Sequence, residues 1–139
     1  QWILSDIEHA GGDRAAAAAS QPNIATECMV AYAYDTVQRR NPLGFFGMVH
    51  VLEGTSITIA ENAANTIRES LSLPKKAFTY LYSHGALDLA HVKFFEDLMN
   101  RIDDPADQAQ IVHAANVFYG LYGNIFRSLD GAEAPAQAA

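Results

Sequence analysis

The sequence predicts an all-α fold. Apolar residues recur at three- and four-residue spacing through most of the chain. Pro22, Pro42, Pro74 and Pro105 fall between those stretches rather than inside them. No segment alternates apolar and polar residues between turn signals as a half-buried strand would.

The first helical segment is short and lacks a start signal. Trp2, Ile3, Ile7 and Ala10 keep helical spacing, and Gly11-Gly12 ends the segment. No capping residue precedes it, so the chain reads as beginning inside a helix. A truncated frame gives this pattern, and a processed terminus gives the same first residue. Residues 14–19, mostly alanine, fit either a loop or a short helical turn.

The second segment runs from about Asn23 to Arg39, with Ile24, Cys28, Ala31, Tyr32 and Val37 as its apolar side. Arg39 and Arg40 suit the negative end of the helix dipole. The third runs from about Pro42 to Leu71. It is apolar on several sides from Leu43 to Ala60, so burial on more than one face is expected. Leu73-Pro74 ends it. The fourth, from about Lys76 to Arg101, carries Phe78, Leu81, Tyr82, Leu89, Val92, Phe95 and Leu98 in helical register. Gly85 in its middle suggests a bend or a close approach. The fifth opens at Asp104-Pro105, a cap followed by a residue suited to the first turn, and continues to about Leu129. Its inner face is Ile111, Ala115, Phe118, Leu121, Tyr122 and Ile125. Residues 130–139 are an Ala/Pro-rich tail expected to be disordered.

At 139 residues, half of them hydrophobic, the chain has material for one helical domain over residues 1–129. The net charge of −7 and nine scattered basic residues argue against a nucleic-acid partner and against an anionic membrane surface. No uninterrupted apolar run reaches the ~18 residues a spanning helix needs. Cys28 is the one cysteine, so no internal disulfide forms, and a cytoplasmic location is the natural expectation. A buried, inert role for Cys28 is expected. A homodimer stays open. No glycine-rich phosphate loop, cysteine pair or serine-histidine-aspartate order is present.

The segment Ser83-His-Gly-Ala-Leu-Asp-Leu-Ala-His91 carries the chemistry. At about 100° per residue, His84 and His91 both lie within about 60° of Asp88, on the same side of it. Two imidazoles and a carboxylate on one stripe suit a first-row metal such as iron. The competing reading is three solvated or hydrogen-bonded side chains. Glu53, in Met-Val-His-Val-Leu-Glu-Gly-Thr-Ser56, sits among apolar neighbours, where a carboxylate needs a metal or a salt bridge. His50, three residues earlier, is a further candidate ligand, and a hydrogen-bonded surface histidine is its alternative.

Gly47-Met-Val-His-Val-Leu-Glu-Gly-Thr-Ser56 followed by Ala77-Phe-Thr-Tyr-Leu-Tyr-Ser-His-Gly-Ala-Leu-Asp-Leu-Ala-His-Val-Lys-Phe-Phe95 resembles the haem-oxygenase-like di-iron oxidases and oxygenases, the iron-containing redox enzymes related to TenA and PqqC. The resemblance covers residues 1–129. It implies a haem-oxygenase-like helical bundle, incomplete at the N-terminus, with Glu53, His84, Asp88 and His91 as iron ligands. It implies two irons in the full-length protein, and O2 and a small organic molecule as substrates, with no catalytic residue beyond the ligands. Phe46, Met48, Phe94 and Phe95 are candidates for a substrate pocket. The family also uses a glutamate and a histidine on an earlier helix. Gln1-Trp-Ile-Leu resembles the residues after that pair, and Glu8 and His9, pointing about 100° apart, substitute for it poorly. Two other functions fit the same fold: a haem oxygenase proper, which needs a proximal histidine, and a non-catalytic TenA-like binding or regulatory protein. The former has an intense Soret band, and the latter has no stoichiometric iron.

Overall fold

The computed structural model describes residues 2–129, except the side chains of residues 85–90. Six α-helices follow one another: α1 (Trp2–His9), α2 (Arg14–Ala19), α3 (Ile24–Arg39), α4 (Phe45–Ser70), α5 (Thr79–Met99) and α6 (Pro105–Arg127). Short 3-10 turns at Pro42–Gly44 and Lys75–Phe78 lead into α4 and α5. Among the described residues there is no strand, as the sequence periodicity requires. The chain is therefore all-α, as the sequence predicts. The tail at 130–139 lies outside the described residues.

Most helix ends are written locally. Gly11, at φ +90°, closes α1: its N–H reaches Glu8 O at 3.0 Å, and the Gly12 N–H reaches Ile7 O at 2.9 Å. This pair of bonds satisfies the orphan carbonyls of the last turn, and glycine meets the left-handed backbone without a Cβ penalty. α4 ends the same way with Ser72 at φ 52°, where the Leu73 N–H reaches Arg68 O at 3.0 Å. Asp13 caps residues 14–19, which resolves that stretch as a helix: its carboxylate accepts from the N–H groups of Ala15 and Ala16 at 2.8 and 3.0 Å. Asn23 caps α3 through the Thr26 N–H at 2.9 Å, and Asp104 caps α6 through the Ala106 N–H at 2.8 Å.

The chain forms two compact units. The first comprises Gln1–Gln21 with Val49–Asp103. Here α4 and α5 run antiparallel: the Tyr82 hydroxyl donates to Asn65 Oδ1 at 2.7 Å near one end, and His50 stacks on Phe95 at 6.1 Å near the other. Ala64, Ala77 and Phe78 are the buried centre, with Leu73, Leu81 and Tyr82 packed on them. The small Ala64 leaves room for the Phe78 ring. α5 runs unbroken through Gly85, whose surroundings lie outside the described residues.

The second unit comprises Pro22–Met48 and the chain from Asp104 onward. α3 and α6 lie antiparallel. Asn23 Nδ2 donates to Ser128 Oγ at 2.8 Å at one end, and Asn41 Nδ2 to Asp107 Oδ1 at 2.5 Å at the other. Between them the Tyr32 and Phe118 rings meet edge to face at 4.9 Å. Phe118, 1% exposed, anchors the contact, and burial of such a ring stabilises by about 1.5–3 kcal/mol. The inner face of α6 read from the sequence is the one that packs.

For α3 the stripe is rotated from the expected one. Thr36 is buried, and Met29, Tyr32 and Ala33 are partly so, whereas Ile24, Ala31, Val37 and Cys28 are exposed. The expectation of a buried Cys28 is thus corrected. α3 turns toward α6 the face that carries Tyr32 and Thr36, because that face meets Phe118 and lets Gly44 close in. At the end of α3, Asp35 pairs with Arg40 and Arg39 at 2.5 and 2.6 Å. The Arg40 hydrogen bond holds the Asp35 carboxyl below its ordinary range.

The uninterrupted-run criterion passes over one feature. Pro42–Ser70 averages a mean hydropathy of 1.3 in its most apolar window, enough by length and composition to cross a membrane. Only 22% of that window is buried, short of the burial on more than one face expected from the sequence.

Close packing in the second unit makes a prediction. A Cβ at Gly47 would sit 2.4 Å from the Ala115 backbone N and 2.8 Å from Ile111 O, and backbone cannot step aside. Gly47→Ala should destabilise by at least the ~1–3 kcal/mol typical of overpacking. At Gly120 a Cβ meets nothing within 4 Å, so Gly120→Ala should stabilise by up to about 1 kcal/mol. Urea denaturation should move the two midpoints in opposite directions.

Candidate metal centre

α5 carries the three sequence-predicted ligands, and its start is held by α1. The residue in the N-cap position is Phe78, which has no side-chain acceptor. The free donors of the first turn are met from α1 instead. Asp6, 8% exposed, accepts the Tyr80 N–H at 2.8 Å and the Thr79 hydroxyl. A carboxylate at a helix N-terminus is favoured by both the orphan N–H groups and the dipole, which offsets the cost of burying it.

Trp2, one turn before Asp6, meets the His84 ring edge to face at 6.0 Å. Tyr80 lies against the same ring at 4.0 Å between centroids. His84 Nδ1 is 2.9 Å from Tyr80 O. A carbonyl oxygen only accepts, so Nδ1 carries the proton and Nε2 keeps its lone pair. Metal-binding histidines commonly have this arrangement, one ring N–H anchored and the other nitrogen free.

His91 lies two turns along α5 on the same face, about 10.5 Å from His84 in axial rise. Its partner is on α4: His91 Nδ1 and Glu53 Oε1 are 3.8 Å apart, with the side chains 57% and 32% exposed. Glu53 is therefore half-buried and paired across two helices. His50, one turn before Glu53, is exposed and stacks on Phe95. Asp88 belongs to the intervening turn of α5, and its side chain lies outside the described residues.

The structure thus brings Glu53 and His91 together and places His84 against α1. Among the described residues no three His, Cys, Asp or Glu side chains converge. Glu8 turns instead to Arg14, at 3.4 Å.

The donor set fits a metal at two points. Metal–ligand bonds of about 2 Å place two donors of one ion roughly 3–4 Å apart, and the Glu53–His91 separation falls in that range. The anchored Nδ1 of His84 leaves Nε2 as a ligand.

Apolar clefts lie beside α1. One of about 290 Å³ is lined by Trp2, Ile3, Leu4 and Tyr80, two of which touch His84. Another of about 360 Å³ has walls of Ile3, Ile7, Ile67, Leu73, Phe78 and Leu81. These walls differ from those expected from the sequence. Phe94 is 71% exposed, and Phe95 is engaged with His50. Sequence reasoning missed Asp6, Trp2 and Tyr80 as parts of the site. Trp2 and Asp6 at i and i+4 on one short helix were the available signal, a carboxylate and an indole on a single face.

A model of the family described as iron-containing redox enzyme matches residues 1–123. No curated protein and no solved structure matches the chain.

The exposure of the Glu53–His91 pair sets its contribution to stability. Even as a full ion pair, a contact this accessible would contribute about 0–1 kcal/mol. Glu53→Gln should therefore change the stability of the metal-free protein by less than about 1 kcal/mol. Thermal or urea unfolding of the metal-free variant checks this, and a larger loss would mark Glu53 as a structural residue.

Proposed function

The chain belongs to the family of iron-containing redox enzymes, and from that premise we propose that the full-length protein is a non-haem iron oxidase or oxygenase, with two irons, that activates O2 to oxidise a small organic substrate. The observation that carries this reading is the approach of Glu53 and His91 from two helices to 3.8 Å, in a position where the pair adds little to stability. Glu53, His84, Asp88 and His91 are the residues assigned to iron, and His50 is a further candidate one turn from Glu53.

Bound iron supplies the electron-transfer chemistry by which O2 oxidises an organic molecule. The chain's own residues do the rest. Glu53 brings negative charge that balances a cation beside the His91 ring. The Tyr80 carbonyl fixes the His84 proton on Nδ1. Trp2, Ile3, Leu4 and Tyr80 wall a cleft that would receive an apolar part of the substrate and exclude water from it. The carboxylates among the assigned ligands favour non-haem iron over haem, since a porphyrin leaves at most two axial positions for protein.

The test is anaerobic addition of Fe(II) to the purified protein, followed by iron analysis and optical spectroscopy. Iron should bind without a Soret band. It should also raise stability by about 2.7 kcal/mol when free iron reaches a hundred times the dissociation constant. Glu53→Gln and His91→Ala should each weaken iron binding at least about tenfold, the loss expected even for residues that only support a ligand. Failure to bind iron, or a haem spectrum, would overturn the reading.

A further inference from the structure

The ring of His84 is oriented from α1, and this points to a role for two residues outside the ligand set. We infer that Asp6 and Trp2 are positioning residues that hold His84 in the Nδ1–H tautomer, with its Nε2 lone pair fixed for a metal. The inference rests on the iron-binding reading only for its consequence; the tautomer itself is a property of the metal-free protein.

The geometry forms a closed frame. Asp6 grips the start of α5 through the Tyr80 N–H at 2.8 Å and the Thr79 hydroxyl. The Tyr80 carbonyl, one turn before His84, accepts from the ring at 2.9 Å. Trp2 lies against the ring edge to face, and Tyr80 tilts over it at 36°. The backbone of Tyr80 is thus fixed by Asp6 on one side and fixes His84 on the other. The opposite tautomer would set a ring lone pair against the carbonyl lone pairs at 2.9 Å, which is repulsive. Ser83 Oγ, 3.4 Å from Nδ1, does not relieve this, because its own proton goes to the same carbonyl at 2.9 Å.

Asp6 serves no comparable structural purpose at its own helix: it lies in the middle of α1 and bonds α5 across 74 residues of sequence. Trp2 is 52% exposed, so burial alone does not explain its place. Both lie on one face of α1, at i and i+4, and both act on the first two turns of α5.

The experiment is 15N–1H correlation of the imidazole nitrogens in the metal-free, full chain, with His84 assigned by comparison with His84→Gln. The expected result is a protonated Nδ1 and a bare Nε2. A predominant Nε2–H tautomer in the wild type would overturn the inference whether or not iron binds. Asp6→Asn and Trp2→Leu should each make the His84 signals average between tautomers and weaken Fe(II) binding about 10- to 100-fold, the range for lost supporting contacts. Thr79→Val loosens the same carboxylate without removing it, and should shift the signals in the same direction if Asp6→Asn fails to fold. Folded variants with wild-type His84 signals would reduce Asp6 and Trp2 to scaffold. A wild type with the Nδ1–H tautomer but no affinity for Fe(II) would retain the positioning and remove the iron reading.

Discussion

The carboxylate of Asp6 under the first turn of α5 is the contact on which the rest of the first unit depends. α5 begins at Thr79 without a cap of its own, because Phe78 in the N-cap position offers no acceptor. A helix whose first donors are unmet in a partly buried setting frays or shifts. Asp6 meets one of those donors, the Tyr80 N–H, and also accepts from the Thr79 hydroxyl, and thereby sets the position of the helix that carries His84, Asp88 and His91. The dependence runs both ways. α1 has eight residues, too few to be stable alone in water, and its contacts with α5 and the Lys75–Phe78 turn keep it folded.

The second unit is held by a different constraint, the close approach of backbones. Gly47 lies so near Ile111 and Ala115 that no side chain fits. Gly44 is almost as tight against Thr36 and Ala114. With the backbones this close, Phe118 and Tyr32 fill the remaining space between α3 and α6. The choice of face on α3 follows: Tyr32 and Thr36 turn inward because they meet these neighbours, and the more hydrophobic Ile24 and Val37 stay outside. Hydrophobicity ranks residues by their cost in water. Packing selects among them by shape.

The two units also differ in what their polar groups do. Asn23, Asn41 and Asp104 in the second unit close helix ends, a purely structural use. In the first unit Asp6 and Asp13 do the same, whereas Glu53 and His84, partly buried, and His91, exposed, cap no helix.

The sequence by itself determined the all-α class, the family and most helix ends. Each of those rests on residues close together in the chain: Gly11 for a left-handed turn, Asp104 and Pro105 for a helix start, the histidine-aspartate-histidine spacing for a stripe on α5. It also gave the inner face of α6, where the apolar residues outnumber any alternative face. Tertiary structure decided the rest. It chose the buried face of α3, where two apolar stripes compete and only contact with Phe118 and Gly44 separates them. Among the described residues it paired Glu53 with His91 and set His84 against α1, since a stripe fixes direction on one helix but not which helix faces it. It also supplied the cap of α5 from α1. A bond between Asp6 and Tyr80 leaves no trace in local spacing, because the acceptor and donor meet only when the chain between them has folded.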